Sequence, residues 1–403
     1  MIKPIKELLR RIHHSIPLKI RTIYMPVLSR GLYFLQNHPN AIFPTVFLFE
    51  GLELTSGNPF SFAYAGNLHQ MHNYWDHVIL RDGFQKRNLG RRFFGNVIPE
   101  LKKHFPNCGL LIMEQSFMTI PFLNKKPGFQ IPFWVRMEID ISRPIDELFD
   151  PQRRSDIKRR IRKNDLSYEM STDPKHFESF YHSMLVPYIK KRYTDIAGIP
   201  SYETFLQTIP GSKMMLIKTG GKIIAGATLE FIKGRPSLRR LGIVEANEEY
   251  MRYGAIGAIY YFMIQELKKN GHRTIDIGGT RPLLSDGLTR YKLTFGVQLC
   301  KENTKHSCVR LLVLNGSPGV RSFLLNNPFL FKDREKDICR ALFVENNGDL
   351  TAKALNDAVK SSYCEGIKET QVFVFGDNTL PEGLDADGQR IVIHHVEKLV
   401  NQN

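Results

Sequence analysis

One order of parts occurs twice along this chain: short strands, a glycine-bearing turn that opens a helix, and a closing strand. In the first occurrence, within 45–140, Trp75–Leu80 is predicted as a strand, Gln85–Arg92 as the turn, Phe93–His104 as the helix and Gly109–Glu114 as the closing strand. The second has predicted strands at Met214–Thr219, Lys222–Ile232 and Ser237–Val244. The turn Arg252–Gly257, a helix to Lys269 and a strand Arg273–Ile277 follow. Such a turn leaves backbone N–H groups free at a helix start, beside the positive end of the helix dipole, where a phosphate can sit. Duplication on this scale restricts the fold more than any single motif. It predicts an α/β (α+β) protein with two phosphate-handling lobes.

The bulk numbers agree with an anionic partner. A chain of 403 residues is expected to make two or three domains, and its formal charge is +16. That excess suits nucleic acid, acidic lipid or a phosphorylated substrate. Much of it is local: Arg153, Arg154, Lys158, Arg159, Arg160, Arg162 and Lys163 crowd one stretch. Five cysteines without a close C-x-x-C pair argue against a disulfide framework and a structural zinc site. Cys300, His306 and Cys308 lack a fourth ligand, and His69, His72, Asp76 and His77 follow no metal spacing, so no metal is expected. No run approaches the ~20 apolar residues of a membrane span. Lys3, Lys6, Glu7, Arg10 and Arg11 interrupt any signal-peptide pattern, which predicts a cytoplasmic location. Ile5, Leu8, Leu9 and Ile12 fall at helical spacing among basic residues. Residues 1–16 therefore predict a helix that either docks on the first domain or lies on the inner, anionic face of a membrane.

Three parts are expected. Residues 1–150 form a first lobe, with strands at Thr45–Glu50, Phe60–Ala65 and Trp134–Ile141. Residues 151–300 form a second lobe, entered by a basic helix with Asp150 as N-cap and Pro151 at the first position. On that helix Arg154, Lys158 and Arg162 repeat every four residues and share a face, beside an apolar stripe of Ile157 and Ile161. A helix over His176–Lys190 and a Gly220-Gly221 hairpin follow. Residues 301–403 are expected to be a small α/β appendage, with strands near Val309–Leu314, Ala341–Glu345 and Gln371–Phe375. Asp385–Gly388 is read as a turn, since it lacks the further ligands of a calcium loop.

The first turn, Arg87-Asn88-Leu89-Gly90-Arg91-Arg92, resembles the R/Q-x-x-G-x-G/A loop of GNAT-fold N-acetyltransferases, except that Arg92 stands at the final small position. Lys126-Pro127-Gly128-Phe129 is similar to the glycine–phenylalanine pair before that fold's last strand. Two such lobes joined by a basic segment resemble the FemAB-like peptidyltransferases and their acetyltransferase-like relatives in cellulose and exopolysaccharide biosynthesis. The stretch 153–163 is similar to their "R-x-x-I-R-x-A-x-K" entry. Asp276-Ile277-Gly278-Gly279-Thr280-Arg281-Pro282, Asp286-Gly287-Leu288 and Tyr291–Gly296 resemble their closing "D-F-G-G … G-L … F-K-x-x-F-G". The resemblance covers roughly residues 45–300. It implies two GNAT-like lobes in tandem and transfer of an acyl or aminoacyl group to an amine, or less often a hydroxyl. The donor would be acyl-CoA or aminoacyl-tRNA, with no permanently bound cofactor. The acceptor would be phosphate-bearing, as a nucleotide- or lipid-linked cell-envelope precursor is.

Such a reaction needs a neutral amine, a polarised carbonyl and compensation of phosphate charge. Lys292 offers a point charge for a phosphate or an oxyanion, or is an exposed lysine at an element's end. Asp276, at a strand end before two glycines, is a candidate base, or merely caps the turn; Glu230 and Glu245 are further candidates. Arg87, Gly90, Arg91, Arg252 and Gly254 are expected to bind the donor's phosphates. Arg154, Lys158, Arg162, Arg281 and Tyr291 are expected around the acceptor, between the lobes, although Arg281 could instead pair with Asp276 or Asp286. A non-catalytic scaffold that binds membrane or nucleic acid is the alternative.

Overall fold

The structure, a computed structural model, describes residues 42–67, 75–116, 119–123, 127–193, 199–300, 308–333, 335, 337–361, 363–376, 390–396 and 399. Segment 1–16, His69, His72, His306 and the turn at 385–388 lie outside the described residues, and nothing bears on the expectations made for them. Along the chain come β1 (Thr45–Leu52), β2 (Pro59–Ala65), β3 (Gln85–Arg91), helix α1 (Val97–His104), β4 (Leu110–Glu114), β5 (Phe129–Pro132) and β6 (Val135–Asp140). Helix α2 (Pro151–Lys163) leads to β7 (Leu166–Ser171), α3 (Val186–Tyr193), β8 (Lys213–Thr219), β9 (Lys222–Ile232) and β10 (Arg235–Ile243). Next are α4 (Ala255–Lys269), β11 (Thr274–Thr280), α5 (Gly287–Leu293) and β12 (Val297–Leu299). The last part adds β13 (Cys308–Val313), α6 (Pro318–Asn326), β14 (Phe329–Lys332), β15 (Ile338–Asn346), α7 (Ala352–Lys360), β16 (Glu369–Gly376) and β17 (Arg390–His395).

Among the described residues the strands form two sheets, ordered β17-β16-β15-β14-β5-β13-β4-β2-β1-β3 and β12-β6-β11-β10-β9-β8-β7. Side chains alternate across a strand, so each sheet divides its apolar residues between two faces. Phe47, Phe49, Leu110 and Ile112 pack on one side of the first sheet with Phe323 and Leu324 of α6. Val46, Leu48, Leu111 and Met113 pack on the other side with Val97 and Leu101 of α1. In the second sheet Met215 and Ile217 face α4. Met214 and Leu216 face a layer holding Phe177, Phe180 and Phe205. The fold is α/β, as expected.

Sheet membership redraws the expected three-part division. Strand β6, expected to end the first lobe, pairs with β11 and β12 in the second sheet. Strand β13, from the expected appendage, inserts between β4 and β5 of the first sheet. The first lobe thus gives a strand to the second sheet and takes one from the C-terminal part, and β14–β17 widen the first sheet instead of forming a separate unit. Burial supplies the reason. Every residue of β13 is buried, and such a strand is satisfied only inside a sheet covered on both faces.

Two local expectations in the first lobe are also corrected. Trp75–Leu80 is not a strand: Asp76–Ile79 forms a helical turn that buries Trp75, Ile79 and Leu80. Gln85–Arg91 is not a phosphate turn but the edge strand β3, paired antiparallel to β1. Its charged residues suit an edge, where they discourage pairing with another chain. The second unit keeps its expected order: antiparallel β8, β9 and β10, then α4, then β11 parallel to β10. Among the described residues no helix is long and apolar enough to cross a membrane. All five cysteines are buried free thiols.

Candidate functional site

The site grows from the irregular meeting of β10 and β11. These parallel strands pair only at Ser237↔Asp276. Beyond that pair the register slips against β9 between Leu238 and Arg240, and against β6 between Asp276 and Gly279. The strands part toward their carboxyl ends, where open α/β sheets place ligands. A cavity of about 790 Å³ fills the gap, lined by Leu238–Leu241 of β10, Ile277–Gly279 of β11, Trp134, and Leu185, Tyr188 and Ile189 from the helical layer.

Lys292 lines this cavity from α5 and is only 5 % exposed. Its Nζ donates to the carbonyls of Ile277 and Gly279, both at 2.9 Å. An ammonium has three N–H donors, and these two bonds leave one. Burial lowers its pKa to about 8, partly opposed by Asp286. The side chain is thus a buried cation at the strand gap, not an exposed lysine.

Asp276, the candidate base, is engaged through both carboxylate oxygens. Arg136 of β6 donates to its Oδ2, and Gly278 N donates to Oδ1 at 2.7 Å, so the carboxylate braces the turn. Glu230 is engaged by Arg239 and Arg240 at 3.5 and 3.2 Å. Arg281 pairs with Asp286 at 3.3 Å, as its structural alternative held, and lies outside the residues lining the cavity. Asp286 in turn caps α5, accepting from Leu288 N at 3.0 Å and Thr289 N at 3.1 Å.

A second cavity, of about 200 Å³, adjoins the first at the start of α4 and shares Tyr188, Leu241, Tyr260 and Leu288 with it. Gly254 caps α4 with φ +87 and without a capping side chain. The helix's first N–H groups have no intrahelical acceptor, and Ile256 and Gly257 line this cavity. Three guanidiniums, Arg153, Arg160 and Arg192, surround it against one carboxylate, Asp156. Arg160 Nε donates to Asp156 at 2.7 Å, and its Nη1 donates to the Arg252 carbonyl at 2.6 Å, which clamps α2 against the turn. Arg153 lies 4.9 Å over the Tyr291 ring. Burial raises the Tyr291 pKa to about 12, with Arg153 opposing, so its hydroxyl stays protonated as a donor.

The expected phosphate residues therefore separate. Gly254 holds the turn as expected, but Arg252 contributes its carbonyl while its side chain is exposed. Arg87, Gly90 and Arg91 lie on β3 in the other sheet, where Arg87 pairs with Glu50 at 3.4 Å and Gly90 N donates to Asn88 at 2.8 Å. Tyr291 lines the cationic cavity, not the larger one. On α2 the expected stripe faces elsewhere: Lys158 donates to Asp146 at 2.5 Å, Arg154 lies 3.9 Å from it, and Arg162 donates to the Lys158 carbonyl. The inward face is Arg153, Asp156, Ile157 and Arg160. Ile157, the one fully buried residue of the helix, was the available signal: its i−4 and i+3 neighbours are Arg153 and Arg160. Away from both cavities, Asp333, Glu335 and Asp337 bring carboxylates within 4.8 Å of one another on the β14–β15 turn, a kind of acidic cluster common without any ion.

No protein-family model matches the chain, and no curated protein sequence matches it either. Solved structures do. The chain is similar to FemX, at 12% identity over 63% of this chain and 82% of that one, with a TM-score of 0.36. It is similar to L-PGS from Bacillus licheniformis, at 11% identity over 67% and 85%, with a TM-score of 0.33. A tandem GNAT protein from the clavulanic acid biosynthesis pathway is similar at 9% identity over 65% and 82%, with a TM-score of 0.28. These likenesses are distant, and what the site can do rests on its own residues.

Proposed function

We propose that the second lobe is the catalytic half of an acyl- or aminoacyl-transferase. The observation that supports this best is the junction of two unlike cavities. One is cationic and opens on a bare helix start; the other holds Lys292 where two parallel strands separate. A phosphate-bearing donor, acyl-CoA or aminoacyl-tRNA, sets its phosphate among Arg153, Arg160, Arg192 and the first N–H groups of α4. Its acyl carbon then passes the collar of Tyr188, Leu241, Tyr260 and Leu288 into the strand gap.

There the acceptor nitrogen attacks the carbonyl carbon, and the carbonyl oxygen takes the negative charge. The remaining N–H of Lys292 stabilises that charge, a service worth roughly 3–4 kcal/mol for a well-placed donor in a site shielded from water. Collapse of the intermediate breaks the bond to the donor's sulfur or oxygen, and the nitrogen's proton leaves with that group or to water. With Asp276 and Glu230 both engaged, no dedicated carboxylate base is assigned.

Purified protein carrying Lys292→Met, or Arg153→Gln with Arg192→Gln, tests the reading against a panel of acyl-CoA esters and aminoacyl-tRNAs. Donors should raise the melting temperature of wild type and of Lys292→Met, but not of the double arginine variant. Transfer should be lost in Lys292→Met. Donor stabilisation that survives in the arginine variant, or transfer that survives in Lys292→Met, overturns the reading.

A further inference from the structure

The larger cavity holds more positive charge than polarising a carbonyl requires. Besides Lys292, the consecutive residues Arg239 and Arg240 both line it. Neighbouring residues of a regular strand face opposite sides of the sheet, so two adjacent arginines on one wall require a local irregularity. β10 has one: Leu238 pairs with Leu229 and Arg240 with Thr228, which leaves Arg239 as an extra residue. A bulge of this kind re-aims a side chain, and bulges gather next to active sites.

Because of the slip, both guanidiniums reach the same carboxylate. Arg239 Nε lies 3.5 Å from Glu230 Oε2 and Arg240 Nη1 3.2 Å from Oε1. Two cations share one anion, and Glu230 is not itself part of the cavity wall. The crowding is felt electrostatically: burial lowers the Arg240 pKa, Glu230 opposes the shift and Arg239 adds to it. A second anion would relieve that repulsion. The planar guanidinium fork suits carboxylate and phosphate oxygens alike.

We propose that Arg239 and Arg240 form an anion clamp for the acceptor substrate, closing on a carboxylate or phosphate that the acceptor carries beside its reacting amine or hydroxyl. Glu230 holds the two arginines in register until that group arrives. The inference rests on reading this cavity as the acceptor side of a transferase. It makes the acceptor an acidic molecule and assigns its recognition to two residues of β10, distinct from the arginines around the donor cavity.

Equilibrium binding of inorganic phosphate and of succinate to the full chain at low ionic strength tests the clamp. Wild type should bind two phosphate equivalents. Arg239→Gln with Arg240→Gln should lose one of them, together with succinate, while Arg153→Gln with Arg192→Gln loses the other. Glu230→Gln should bind the clamp's anion several-fold more tightly, because it removes the internal competitor. A purely structural triad would show the opposite: lower thermal stability in Glu230→Gln and no gain in affinity. The clamp is overturned if the Arg239–Arg240 variant, folded by circular dichroism, keeps both phosphate equivalents, or if Glu230→Gln weakens binding. Loss of the donor equivalent alone from wild type would instead count against the donor cavity and leave the clamp standing. Whether phosphate or succinate is preferred at the clamp equivalent distinguishes a phosphate-bearing acceptor from a carboxylate-bearing one.

Discussion

In the first of the two related units, Gly90 takes φ +81 inside an edge strand; in the second, Gly254 takes φ +87 at the start of a 15-residue helix. The parallel strands beside them differ as well. β2 and β4 stay paired over four positions, from Phe62↔Leu110 to Ala65↔Met113, whereas β10 and β11 pair at one and then separate. At the closed end of the first pair Tyr64 donates to Glu114 at 2.6 Å, and burial raises the pKa of both groups. At the open end of the second lies Lys292. The same left-handed glycine thus serves an edge kink in one unit and a cavity-facing helix start in the other. What separates the outcomes is whether the next element is a helix under a cationic neighbour, and whether the strands part.

Each side of this contrast can be perturbed. Lys292→Met should cost about 100-fold or more in turnover while donor affinity stays unchanged, measured by single-turnover transfer and by calorimetry. Neutralising Arg153 and Arg192 should weaken donor binding by roughly tenfold or more per arginine, since charged hydrogen bonds are worth about 1.5–3 kcal/mol. The matching pair on the edge strand, Arg87→Gln with Arg91→Gln, should leave donor affinity where it was. If the edge pair matters equally, the distinction between the units fails.

Substituting the glycines gives a smaller contrast. A Cβ on Gly254 would meet Arg160 Cδ at 2.7 Å in a backbone conformation that L-residues disfavour. Gly254→Ala is therefore expected to reduce donor affinity several-fold. Gly90→Ala, whose Cβ would meet only the Arg92 side chain at 3.3 Å, should lower stability by about 1 kcal/mol and spare binding.

The rate should also respond to pH. Lys292 keeps its proton below about 8, so a rate that depends on its charge is full below that value and falls as pH rises through it. The falling limb should vanish in Lys292→Arg, which stays charged throughout. Smallest of all, Arg154→Gln with Lys158→Gln should change stability by no more than about 0.5 kcal/mol and donor affinity not at all, because both half-buried side chains pair with the exposed carboxylate of Asp146 at the surface.

Much of the second unit was legible from the sequence because its signals are local. Gly220-Gly221 marks the β8–β9 hairpin, Asp150 caps α2 by accepting from Arg153 N, and Gly254 opens α4. Lys292 could be singled out by its place in the closing motif, but its burial and its bonds to Ile277 and Gly279 depend on β11, fifteen residues earlier. The choice among the α2 arginines was missed because a four-residue repeat of charge looks like a functional face. In the fold the buried Ile157 decides which side turns inward. Arg239 and Arg240 gave no signal, since a bulge is set by how β10 registers on β9 and not by β10 alone.

Local chemistry, then, determined the repeated strand–helix order, the α/β class, the caps and turns of the second lobe and the excess of cations. Tertiary structure alone decided that β6 joins the second sheet and β13 the first, that Gln85–Arg91 is an edge strand, and that β10 and β11 separate over Lys292. The reason is physical. Caps and hairpins are satisfied by neighbours a few residues away, whereas a fully buried strand, a splayed pair or a shared carboxylate is satisfied only by partners far off in the chain, and no window of sequence contains them.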